Sequence, residues 1–350
     1  MKKHILFLAT IAAAYVFAAC SSSDKKEDKT TIEKDSYDLA LADKLGMFSA
    51  LPSQAESAEN PITDEKVALG HKLYFDKNLS KDGNISCNSC HNLNTFGVDN
   101  LPTSPGDAGK NGGRNSPTVL NAALHATQFW DGRAKDVEEQ AGMPILNPIE
   151  MAIPKEDFLI DRLSKIEGYS KLFEQAFPGE GNAISYKNLR LAIGAFERKL
   201  ITPSAFDNYL NGDLSALNKQ EKSGLLTFIN VGCASCHNGA ALGGNSFQKF
   251  GVHKNYWELT GSKNIDKGRA EVTKNEADNY VFKVPSLRNI DKTAPYFHDG
   301  SVAKLDKTVE IMAISQLNYN LTTEEKENIL AFLKSLTGKV DEKFKKAPVN

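Results

Sequence analysis

Two stretches of this chain could carry the same chemistry: Cys87-Asn-Ser-Cys-His91 and Cys233-Ala-Ser-Cys-His237. Two cysteines three apart, with a histidine directly after the second, form the attachment pattern of a c-type haem. Each thiol can add across a vinyl group of the porphyrin, and the adjacent imidazole is then held beneath the iron as an axial ligand. One match could be a redox or zinc CxxC beside a chance histidine. Two matches among only 5 cysteines point to two covalent haems. Cys87, Cys90, Cys233 and Cys236 are the expected attachment residues, and His91 and His237 the expected iron ligands.

What fills the second axial position decides what such an iron can do. A thioether favours the ferrous state and suits electron transfer, whereas an open position admits a small molecule. Met312 is the only methionine after the second motif, which makes it the natural thioether ligand; packing in a core is the competing role. The chain has 7 histidines. His4 lies in the leader described below, and His71 lies on a helix ahead of the first motif, where solvent exposure is expected. His125 and His253 have no supporting pattern. His298 sits in a Pro-Tyr-Phe-His-Asp-Gly turn, where a hydrogen bond to a haem propionate, one to backbone, and ligation all stay open.

The elements that must position these residues are helical. Asp64 to Phe75 has an acidic first turn and apolar Val67, Leu73 and Tyr74, and it delivers the chain to the first motif. Leu189, Ala192, Ile193, Phe196 and Leu200 share one helical face, which Pro203 ends. Asn218 with Glu221 forms a capping box ahead of a helix that enters the second motif. Thr322 with Glu325 opens a last helix, with Gly338 placed to end it. Strand-like alternation is scarce, so the fold is mostly α. Residues 97–114 are rich in Gly, Pro, Asn and Asp and read as a mobile loop.

The two halves repeat. Ser116-Pro-Thr-Val-Leu-Asn121 and Phe129-Trp-Asp-Gly132 are answered by Val284-Pro-Ser-Leu-Arg-Asn289 and Phe297-His-Asp-Gly300. Pro117 precedes Asp131 by 14 positions, and Pro285 precedes Asp299 by the same 14. With a CxxCH upstream of each pair, this is one cytochrome c-like haem domain, duplicated and diverged. The boundaries expected are 39–205 for the first haem domain and 206–345 for the second. Trp130 and His298 hold matching places, a hint that the two haems differ in task.

Residues 1–19 read as a signal segment: Lys2 and Lys3, an apolar run from Ile5 to Ala19, then Phe17-Ala18-Ala19-Cys20 as a lipoprotein cleavage site. At 15 residues the run is short for a bilayer span. Cys20 would become the acylated N-terminus, and residues 20–38 a polar tether. Lipid and haem then use every cysteine and leave none for a disulfide, although an exported protein could form one. Without the leader, 40 basic residues face 44 acidic ones, which gives no footing for nucleic acid. Membrane contact would be through the lipid only, in the periplasm.

The chain resembles the bacterial di-haem cytochrome c peroxidases. The motifs that carry the resemblance are the two CxxCH stretches, Arg114-Asn-Ser-Pro-Thr, Phe129-Trp-Asp-Gly-Arg-Ala134, Gln140-Ala-Gly, Asn147-Pro-Ile-Glu-Met151, Phe282-Lys-Val-Pro-Ser-Leu-Arg-Asn289 and Thr293-Ala-Pro-Tyr-Phe-His-Asp-Gly300. The resemblance implies a low-potential haem on His91 where hydrogen peroxide reacts. It implies a high-potential haem on His237 and Met312, fed by a small donor protein, either a c-type cytochrome or a copper protein. Glu150 would be the acid–base carboxyl over the peroxidatic iron, Gln140 its companion amide, and Trp130 the indole between the haems. Asn115 through its side chain, and Thr293 and Pro295 through their carbonyls, would hold one calcium ion, for which oxygen ligands are suited. A homodimer is also implied.

One departure matters. Many members carry a Gly-His pair in the loop after the first motif, and that histidine caps the peroxidatic iron until the other haem is reduced. Here the place reads Gly106-Asp107, and an exposed aspartate is a poor substitute. The expectation is an iron open without reductive activation, and a low-spin, activation-dependent form in D107H. Two other readings compete. Di-haem oxidases of the same superfamily use a tyrosine where Met312 stands, and a non-enzymatic electron carrier would have no use for Glu150 and Gln140.

Overall fold

The computed structural model describes Met1 and residues 34–348, so the leader and Cys20 lie outside the described residues. From Lys34 onward the chain packs as one compact unit. Its helices are α1 (Ser36–Leu41), α2 (Asp64–Phe75), α3 (Cys87–Cys90), α4 (Val137–Leu146), α5 (Glu156–Ser164), α6 (Tyr169–Ala176), α7 (Tyr186–Glu197), α8 (Ala205–Leu210), α9 (Lys219–Val231), α10 (Tyr256–Thr260), α11 (Ala270–Thr273), α12 (Leu305–Leu317) and α13 (Thr323–Ser335). The described strands are β1 (Phe247–Lys249) and β2 (Val281–Lys283), paired antiparallel with Gln248 opposite Phe282. The mostly α expectation is met.

Local signals placed the helices that flank the cysteines. Helix α2 starts on Thr63, whose hydroxyl accepts from the Lys66 amide, and it ends at Phe75. Asn218 and Glu221 form the expected capping box of α9, and Thr322 and Glu325 that of α13. Each box satisfies two amides that the helix leaves without partners. Gly338 does not end α13, which stops at Ser335. A Cβ at Gly338 would strike the Thr202 carbonyl, so this glycine serves a close packing contact.

Two cores follow. Leu69 and Leu73 of α2 pack with Ile145 of α4 and Leu189 and Ile193 of α7. Leu225 and Phe228 of α9 pack with Phe206 of α8 and Ile329, Phe332 and Leu333 of α13. The helix ahead of each CxxCH crosses its partner at a glycine. A Cβ on Gly70 would enter the Ala192 carbonyl of α7, and one on Gly224 the Asn328 carbonyl of α13. Because backbone atoms cannot step aside as a flexible side chain can, Gly224→Ala should destabilise the protein by about 1–3 kcal/mol. Chemical denaturation followed by far-UV circular dichroism would measure the loss; an unchanged midpoint would refute the close crossing.

The turns after each motif match in detail. Asn121 and Asn289 have φ of 60° and 61°, and Phe129 and Phe297 have 67° and 71°. Single bridges join Gln128 to Ala134 and Tyr296 to Val302. The amides of Asn121 and Asn289 both donate to the hydroxyl of Thr202, at 2.9 and 2.8 Å. Their backbone N–H groups reach the carbonyls of Leu200 and Leu336.

Candidate functional site

Two cavities, of about 370 and 500 Å³, contain the two motifs. Cys87, Cys90 and His91 line the first. Cys233, Cys236, His237 and Met312 line the second, Met312 being supplied by α12. Both histidine rings are anchored through Nδ1, His91 to the Pro117 carbonyl at 3.0 Å and His237 to the Leu242 carbonyl at 3.2 Å. A carbonyl only accepts, so Nδ1 carries the proton and Nε2 keeps its lone pair, which is the tautomer an iron needs. Burial holds both imidazoles neutral, lowering His91 and taking His237 down to about 4. Paired thiols, a neutral imidazole with Nε2 free and a cavity beside them fit a covalent haem at each site.

Glu150, Gln140 and Trp130 all reach the first cavity. Pro144, inside α4, cannot donate to the carbonyl of Gln140 and thus interrupts the helical ladder beside that residue. The segment after α4 is tied back to it by Met151 N–H to the Pro144 carbonyl and Ile153 N–H to that of Ile145. That anchorage brings Glu150 to the cavity that Gln140 also lines. Asn147 donates to its carboxylate at 2.9 Å. Burial raises the pKa of Glu150, while Arg133 and the Asn147 amide pull it back. A carboxyl raised above its ordinary value and facing the cavity is suited to take a proton and return it.

Trp130 lines both cavities and therefore stands in the wall between them. Its indole N–H donates to the Asn115 carbonyl at 2.9 Å. Trp130 and His298, the matching residues of the repeat, meet edge to face with ring centroids 6.4 Å apart. His298 is 2 % exposed, stacks on Phe282 at 4.3 Å and leaves Nε2 without a partner. Asn115, Thr293 and Pro295 line one cavity together. The Asn115 amide donates to the Leu101 carbonyl at 2.9 Å, which turns its Oδ1 the other way.

Two expectations about exposure fail. Asp107 is buried: its carboxylate accepts from the Asp82 amide at 3.1 Å, and its own N–H donates to the Glu150 carbonyl at 2.7 Å. Within residues 97–114 the chain is held at Gly106, where a Cβ would strike the Ile149 carbonyl, and by Gly112 N–H to the Ser104 carbonyl. A histidine at 107 would reach the cavity only once those bonds let go, so the low-spin form expected of D107H requires loop release. His71 is also buried, stacked on Phe196 at 4.8 Å, and it lines neither cavity. Among the described residues, His91 is the only histidine on the first cavity.

Sequence reasoning missed two groups on that cavity. The Arg133 guanidinium lies 3.5 Å over the Phe129 ring and pairs with Asp131 at 2.9 Å. Glu197, at the end of α7, is 5 % exposed and pushed up to about 8, by burial first and by Glu138 next, with Arg198 opposing. The signal for it was present: Glu197 lies four residues after buried Ile193, on the stripe reserved for the core.

A family model for di-haem cytochrome c peroxidase matches residues 64–215. The chain is 47% identical over 309 residues to the cytochrome c551 peroxidase of Pseudomonas aeruginosa, covering 86% of this chain and 88% of that one. It is 32% identical over 335 residues to the methylamine utilization protein MauG of Methylorubrum extorquens, covering 92% and 91%. A crystal structure of a MauG-like protein associated with microbial copper homeostasis superposes with a TM-score of 0.73 at 30% identity, covering 85% and 95%. The chain belongs to the di-haem cytochrome c peroxidase family and is an oxidoreductase acting on peroxide, with two haem c groups.

Proposed function

We propose that this protein reduces hydrogen peroxide at the Cys87–Cys90–His91 site with electrons that enter through the Cys233–Cys236–His237–Met312 site. The observation that carries the reading is the placement of Glu150 and Gln140 on the wall of the first cavity, with Trp130 in the wall that the two cavities share. When bound, the haems supply the iron that meets peroxide and the iron that passes electrons on. The protein supplies the protons and the geometry. Glu150 accepts a proton from one peroxide oxygen and returns it to the other, and the Gln140 amide orients the oxygens between them. One peroxide, two electrons and two protons give two waters. Trp130 shortens the route between the sites.

The finer parts of the reading rest on particular residues. Residues 39–205 and 206–345 are one duplicated haem unit, an inference supported by the matched Asn121 and Asn289 turns that meet at Thr202. Asn115, Thr293 and Pro295 hold calcium, supported by their shared cavity wall. Met312 favours this reading over an oxidase built on tyrosine. The donor is a small c-type cytochrome or copper protein, and the enzyme works as a periplasmic homodimer anchored through Cys20. Among the described residues, no helix is long and apolar enough to cross a membrane.

The first site needs no reductive activation, because no histidine but His91 reaches its cavity among the described residues. Low-temperature EPR of the fully oxidised protein should show a high-spin signal, and peroxide turnover should begin at once. Two low-spin signals, with activity only after partial reduction, would overturn the open-site reading.

A further inference from the structure

The two cavities differ in the charges that line them. Glu150, Glu197 and Glu271 face the first, along with Arg114 and Arg133. No carboxylate lines the second among the described residues, yet Lys283 does, at 7 % exposure. Strand β2 puts it there: its N–H donates to the Trp130 carbonyl, and its neighbour Phe282, which also lines this cavity, packs with Phe250 and Tyr256. The Lys283 ammonium donates to the Thr127 carbonyl at 2.8 Å and lies 3.2 Å from His125 Nδ1. Beside an ammonium that only donates, Nδ1 is the acceptor, which leaves the proton of His125 on Nε2. That Nε2 is buried and has no partner.

A buried cation and a buried N–H donor without an acceptor are costly to keep unless an anion joins them. Burial draws Lys283 down to about 8 against the pull of Asp131, and His125 falls well below its ordinary value from burial and from the Lys283 charge. Both groups belong to the cavity that receives the second haem, whose two propionates are carboxylates. We propose that Lys283 and His125 bind a propionate of the second haem and thereby raise that haem's reduction potential. A fixed positive charge favours the reduced form, since reduction adds negative charge nearby. Lys283 is then a positioning and tuning residue: it holds the cofactor and sets the direction of electron flow without touching peroxide.

This inference rests on the two-haem reading, so the haem count of the wild-type protein, read by mass spectrometry, must be two before the variants are compared. Optical redox titration and the propionate-bending band in resonance Raman spectra are then recorded for K283Q, K283R and H125Q. In K283Q the second haem's midpoint should fall by about 59 mV, a tenfold change for one electron, and its Raman band should move; the first haem's midpoint should stay. K283R keeps charge and donor, and should retain most of the wild-type potential. H125Q keeps the charge and should move the band more than the potential. Wild-type spectra and potentials in K283Q would overturn the proposal, as would a K283R shift as large as that of K283Q. If K283Q fails to load haem, H125Q decides: an unmoved Raman band rejects the pairing.

Discussion

Glu150→Gln is expected to lower kcat/KM for peroxide by about 10²–10⁴-fold, the usual contribution of a positioned general acid–base group. Glutamine keeps the size of the side chain and can still meet the Asn147 amide, which donates to Glu150 at 2.9 Å in the native protein. It cannot take a proton. The loss should therefore appear in peroxide reactivity, with both haems loaded and the donor side unaffected. The pH profile gives a second readout. As a base Glu150 works only when ionised, so kcat/KM falls as pH drops through its pKa. Burial puts that limb above the ordinary 4.5, while Arg133 and Asn147 limit the rise. In the glutamine variant the limb should vanish. Stopped-flow mixing with peroxide across pH tests both points, and a variant that reacts at the native rate would remove Glu150 from the chemistry.

Much of this candidate site was legible in the sequence, for a physical reason. Covalent haem attachment requires two thiols and an imidazole in one short stretch, so the residues proposed to bind haem stand together in the sequence. Helix ends are equally local, so the boxes at Asn218 and Thr322 could be read from residues three apart. What escaped depends on surfaces that meet only in the fold. Glu197 looks like an ordinary charge at a helix end until α7 packs on α2 and closes water away from it. Asp107 sits in a stretch of turn-forming residues, and its burial comes from contacts with Asp82 and Glu150, distant in sequence. His71 was misjudged because α2 is covered on a second side by Phe344 near the chain's end, which meets its ring edge-on at 5.7 Å. Lys283 was visible only as one letter of a motif; what it faces is set by a strand pairing of three residues.

Met312→Ala tests the other end of the electron path, and its expected effect is the loss of nearly all donor-driven turnover. Met312 lies on the same cavity as His237, and a thioether in that position would favour ferrous iron and keep the second haem's potential high. Without it the potential should fall until a small donor protein no longer reduces the site. The first cavity does not include Met312, so peroxide should still be consumed when electrons are supplied chemically. That split, donor-driven activity gone and chemically driven reaction kept, distinguishes a ligand from a packing residue. Truncating a merely packed methionine would cost about 2–5 kcal/mol of stability and leave the potential in place. Redox titration of the variant beside the native protein decides between them: an unchanged midpoint at the second haem would make Met312 part of the core, and would return the oxidase reading to contention.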